Sequence, residues 1–73
     1  MDRATIAPAI RIVLTEIHFK LNEAARIAKA AEGCALAGSV AEAVTVSMDV
    51  EQLIYEAGRL QDAVSLLNRL SRG

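Results

Sequence analysis

The side chains in this sequence that can do chemistry are few and scattered. His18 is the single histidine and Cys34 the single cysteine. A metal site needs several His, Cys or carboxylate ligands converging on one point. The helical neighbours of His18 are Thr15 and Asn22, neither a good ligand, so a solvated helix-face histidine is expected. Cys34 has no Cys-x-x-Cys partner and no adjacent histidine, and it cannot form an internal disulfide alone. It reads as a small, half-buried hydrophobe. No glycine-rich phosphate loop, nucleophile elbow or metalloprotease helix signature occurs. Glu16, Glu23 and Glu32 fall on different parts of a helix surface, and Glu16 with Lys20 is an ordinary i, i+4 pair. The expectation is a non-enzymatic protein with no cofactor, metal or small-molecule substrate.

One polar stripe stands out. Arg11, Thr15, His18, Asn22, Arg26 and Lys29 project within about 80° of one another on a helix, at about 100° per residue. No acid falls among them, and Phe19 borders them. Cations can meet phosphates, an amide can meet a base or sugar, and a ring can stack, so this is a candidate RNA-facing surface. The opposing reading is a solvated helix face. The formal net charge of −1 favours that reading, because it supplies no bulk attraction to nucleic acid or anionic membrane.

The elements that would carry these residues are two long helices. Ile10, Leu14, Ile17, Leu21, Ala24, Ala28, Ala31 and Ala35 alternate by four and three, an unbroken heptad seam. Ile6, Val13 and Ile27 widen it on one side. Ala43, Val46, Val50, Leu53, Ala57, Leu60, Val64 and Leu67 repeat the spacing in the second half. Between the seams, Gly38 suits the left-handed residue after a helix end, and Ser39 with Glu42 reads as a capping box. Thr5 as N-cap would put Pro8 in the first turn, where its missing N–H costs little. The spacing therefore predicts a helix over about 5–37, a turn near 38–39 and a helix over about 40–71. The expected fold is an all-α antiparallel hairpin forming one domain. Its helix–helix core is Ile10, Leu14, Ile17, Leu21, Val50, Leu53, Ala57, Leu60, Val64 and Leu67. Gln61 and Asn68 edge the second seam, either as exposed rim or as hydrogen-bonding residues that fix register.

Two features support a different reading. Gly33 could end the first helix early. Val44, Val46, Met48 and Val50 alternate with Thr45, Ser47 and Asp49, a period-two pattern rich in β-branched residues. Asp49 with Gln52 would then cap a last helix starting near Asp49.

Size sets the remaining expectation. The chain has 73 residues and 53% apolar composition, but much of that is alanine, and Phe19 and Tyr55 are its only aromatics. Alanine favours helix yet buries little area. Two helices alone have no closed core. The hairpin is therefore expected to dimerise into a four-helix bundle and to act as a regulator, adaptor or assembly subunit through protein–protein contacts. Met48, Tyr55, Leu66 and Leu70, with Ala63, lie off the second seam and form a candidate patch for another protein. The N-terminal residues show no signal-peptide pattern and no uncharged apolar run reaches the ~18 to 20 residues of a membrane span, so a cytoplasmic protein without membrane contact is expected. The expected architecture is similar in shape and length to the Rop family of small plasmid-regulatory RNA-binding proteins, also dimers of helical hairpins. That likeness implies the alternative function, an RNA-binding regulator using the stripe of Arg11, His18, Phe19, Asn22, Arg26 and Lys29. No motif or residue is carried across by it.

Overall fold

The computed structural model describes residues 2–72, and among them the chain is two helices, α1 (Arg3–Leu36) and α2 (Val40–Arg72), packed side by side. The first helix starts earlier than the Thr5 cap predicts. Asp2 is the N-cap: its backbone is extended and its side chain accepts from the Ala4 N–H at 3.3 Å. Its carbonyl also accepts from the Thr5 and Ile6 N–H groups at 3.1 Å. Pro8 therefore sits inside the helix, one turn deeper than expected, and α1 runs through it. Pro8 lies on the exposed side of the helix, away from the seam where Ile6 is 2% exposed, so its ring disturbs no packed contact and burial along the seam offsets the lost backbone bond.

The chain reverses as the glycine placement predicts. Gly38 has φ +94°, the left-handed conformation that glycine adopts without Cβ strain. The Ser39 N–H donates to the Cys34 carbonyl at 2.9 Å, and the Gly38 N–H to the Ala35 carbonyl at 3.0 Å. This pair of bonds is a Schellman motif and satisfies two orphan carbonyls of α1. α2 then begins, with the Ser39 carbonyl accepting from the Ala43 N–H at 2.9 Å. Gly33 does not end α1, and the Val44 to Val50 segment is helical throughout. Side-chain periodicity at three and four across the whole second half prevails over the short run of β-branched residues.

The hairpin is a thin slab of 54 × 14 × 11 Å. Its seam in α2 runs through Ala43, Val46, Val50, Leu53, Ala57, Leu60, Val64, Leu67 and Ser71, all buried or half-buried. In α1 the seam is Ile6, Ile10, Val13, Ile17, Lys20, Ala24, Ile27, Ala31 and Cys34. Half of the expected α1 seam is thus displaced by one residue. Leu14 and Leu21, expected in the helix–helix core, lie beside it and remain 46% and 47% exposed. Val13 and Lys20 take the inward positions. The reason is that α1 is apolar at three positions per heptad, and two choices among the three give the same three-four spacing.

Candidate interaction surfaces

The seam divides each helix surface into two flanks, and in an antiparallel pair each flank of α1 lies beside the corresponding flank of α2. Residues equidistant from the turn share a level. The ion pair between Lys20 Nζ and Glu56 Oε1, 2.8 Å, anchors that register near the middle of the slab. At the open end, Arg3 donates to Asn68 Oδ1 at 3.3 Å.

The first flank carries no charge. On α1 it consists of Ala7, Leu14, Leu21, Ala28 and Ala35, one per heptad. On α2 it consists of Val40, Ser47, Ile54, Gln61 and Asn68. Its centre is the level of Leu21 and Ile54, and Ile54 is 55% exposed. Leu14 and Ala28 lie seven residues either side of Leu21, and Ser47 and Gln61 seven either side of Ile54. Arg11, His18 and Glu32 border this flank on the outer side of α1.

The second flank is acidic. Its heptad positions beside the seam are Ala9, Glu16, Glu23 and Ala30 on α1 and Glu42, Asp49, Glu56, Ala63 and Leu70 on α2, so five of the nine are acids. Lys20 reaches toward this side, 2.8 Å from Glu56 and 3.6 Å from Glu16. Gln52 Nε2 donates to the other Glu56 oxygen at 2.8 Å. The hydrogen bond to Glu56 holds the Lys20 ammonium above its ordinary pKa. The bonds from Lys20 and then Gln52 hold the Glu56 carboxyl below the ordinary carboxylate value. Both groups favour their charged forms because each charge is hydrogen-bonded to a partner. Arg26, on the same side, is 2.9 Å from Glu23.

The candidate RNA-facing stripe lies on the solvent side of α1. Arg11, Thr15, His18, Phe19, Asn22, Arg26 and Lys29 are all exposed, Phe19 by 67%. The geometry alters its chemistry in one respect, since Arg26 is engaged by Glu23. The candidate partner patch is exposed as well, but it is not continuous. Met48 and Tyr55 point outward from the middle of α2, whereas Leu66 and Leu70 sit near the open end on the acidic flank. Met48 and Leu66 are separated by roughly 27 Å along the axis at 1.5 Å per residue. No group of three or more His, Cys, Asp or Glu side chains among the described residues is placed to hold a metal. No helix among them is long and apolar enough to cross a membrane.

The neutral flank went unread in the sequence, although its signal was there. Leu14, Leu21, Ala28 and Ala35 form a stripe at seven-residue spacing, and the same spacing in α2 picks out Val40 and Ile54 among uncharged polar residues. Comparison with family models, with curated protein sequences and with solved structures gives no match.

Proposed function

We propose that the protein is a non-enzymatic interaction module whose working form is a dimer, two hairpins assembled into a four-helix bundle. The observation that carries this reading is surface area. The hairpin exposes 5285 Å², whereas a compact monomer of its mass exposes about 4,400 Å². The excess of roughly 900 Å² is close to the roughly 800 Å² that each partner contributes to a stable protein interface. The core points the same way. Among the described residues the buried hydrophobic ones are Ile6, Ala24, Ala31, Ala43 and Ala57, while the larger seam residues such as Ile17, Val50 and Leu53 are only half-buried, so the seam buries little area for two long helices. Covering a second copy supplies the missing burial. The bundle would then act as a regulator, adaptor or assembly subunit through its outer faces, where Met48 and Tyr55 offer contact to another protein. The test is mass by light scattering across a dilution series. The expected value is about twice the 7.8 kDa chain mass, with a melting temperature that rises with concentration. A folded monomer with cooperative, concentration-independent melting would overturn the reading.

A second reading, an RNA-binding regulator, draws on the α1 stripe, every residue of which is exposed, Phe19 included. The Arg26–Glu23 pair weighs against it, because it leaves Arg11 and Lys29 as the stripe's uncommitted cations. Replacing Arg26 and Lys29 by Ala should weaken binding to structured RNA and flatten its salt dependence. No binding at low salt would retire this reading.

A further inference from the structure

We infer that the two copies meet through the uncharged flank, with their turns at opposite ends of the bundle. This rests on the dimer proposed above and specifies which surface makes it and in which direction.

Charge selects the flank. In a two-fold dimer each copy presents the same patch to the other. Two acidic flanks face to face would set the carboxylates of Glu16, Glu23, Glu42, Asp49 and Glu56 against the same five of the other copy, with only Lys20 and Arg26 paired among them, and like charges in an interface are strongly unfavourable. The other flank sets no charge against itself. It also carries the apolar area, with Leu14, Leu21 and Ile54 each about half exposed.

The order of residues along the flank selects the direction. With turns at opposite ends, the symmetry axis passes through the level of Leu21 and Ile54, and each helix lies on its own copy. Leu21 then meets Leu21 and Ile54 meets Ile54. Leu14 meets Ala28 of the other copy, a large residue against a small one, which fills space evenly. Gln61 meets Ser47, so an amide faces a hydroxyl that can bond to it. With turns at the same end, α1 would lie on α2 of the other copy. Leu14 would then cover Gln61, leaving a buried amide without a partner, and Ala28 would face Ser47, leaving a gap.

The rim agrees with this choice. Arg11 and Glu32 lie ten residues before and eleven after Leu21 on the border of the flank. The opposite-end arrangement sets Arg11 of each copy beside Glu32 of the other. In the same-end arrangement Arg11 would sit by Ser65 and Glu32 by Val44, with no charge complement.

The experiment combines mass and distance. A spin label is placed at the turn through Ser39→Cys in a Cys34→Ala background, and the inter-label distance is read by pulsed electron resonance. The slab is 54 Å long, so opposite turns predict labels roughly 50 Å apart, whereas turns at the same end predict about 20 Å or less, given interhelical spacings of about 8 to 10 Å. A dimer with the short distance overturns the direction. Leu21→Glu should reduce the dimer mass to that of a monomer at micromolar concentration; an unchanged dimer overturns the flank. Arg11→Glu and Glu32→Arg provide a milder test that leaves the apolar contacts of the hairpin intact. Each alone should weaken association about two- to ten-fold, and the two together should restore it. Failure of the double variant to recover overturns the rim pairing on which the direction partly rests. A monomeric wild-type protein overturns instead the dimer itself, so the two failures are distinguishable.

Discussion

The two flanks of this hairpin share the same helices, the same seam and the same backbone, yet they have opposite chemistry. One carries ten heptad positions without a charge, centred on Leu21 and Ile54; the other carries five acids beside the seam. At its middle the acidic flank is bonded within the hairpin. Lys20, at a seam position that an apolar residue would ordinarily fill, satisfies Glu56 and approaches Glu16, and Glu56 also receives Gln52. The uncharged flank is bonded across the helices at its open end, where Asn68 accepts from Arg3, and its leucines and isoleucine are left about half in water. The contrast teaches that a hairpin this thin can separate chemistry by heptad position: one side carries the ion pair that joins its own helices at mid-length, and the other leaves half-covered apolar side chains there.

The largest effect should come from placing a charge on the uncharged side. Leu21→Glu is expected to dissociate the dimer and to make melting independent of concentration, since burying a carboxylate against its own copy costs several kcal/mol, on the order of 3 to 5. Glu23→Ala on the other side should leave the mass unchanged. Equal effects of the two changes would erase the distinction between the flanks.

Truncations sharpen it. Leu14→Ala should lower stability by roughly 1 to 3 kcal/mol in a concentration-dependent way, because the side chain is half-covered in the hairpin and covered further by a partner. Ile12→Ala, at a 70% exposed position on the acidic side, should stay within about 0.5 kcal/mol. Thermal melts at two concentrations measure both.

Much of the architecture was legible in the chain. Gly38–Ser39 marks the turn and the α2 seam reads correctly at all eight of its expected positions, because α2 is apolar at two positions per heptad and polar at most others. α1 misleads for the opposite reason. Ile10, Ile17, Ala24 and Ala31 belong to the seam under either choice, but Leu14 and Leu21 are better apolar residues than the Lys20 that displaces one of them. The seam that turns Ile6 and Ile27 inward in place of Ala7 and Ala28 also turns Lys20 inward, where it meets Glu56, 36 residues away, a tertiary partner that periodicity within one helix does not show. The same displacement hides the uncharged flank, since the heptad spacing places its best residues inward. The N-terminus misled through Pro8: placing it in the first turn points to Thr5, whereas Asp2 caps a helix that tolerates the proline.

Smaller effects probe the acidic side. Gly33→Ala should raise stability by about 0.5 to 1 kcal/mol, because the added Cβ meets nothing within 4 Å and the helix continues through the site. Mass should not change. The Glu56 carboxyl is held below its unfolded value, so its contribution is present above about pH 4.3 and is lost as pH falls through the lower folded value. Lys20 is held above its unfolded value, so its contribution is complete below about pH 10.4 and is lost as pH rises beyond it. Melting of Glu56→Gln beside the parent should therefore show a difference at neutral pH that narrows in acid.

Solvent accessibility in the unaltered protein reads directly which flank is covered. A soluble paramagnetic agent broadens the methyl signals that water can reach. At concentrations where light scattering gives a dimer, the methyls of Leu14, Leu21, Ala28 and Ile54 should be protected, while those of Ile12 and Leu66 broaden. On dilution to monomer the first group should become accessible. Protection of Ile12 and Leu66 in the dimer, with Leu21 and Ile54 open to the agent, would contradict coverage of the uncharged flank.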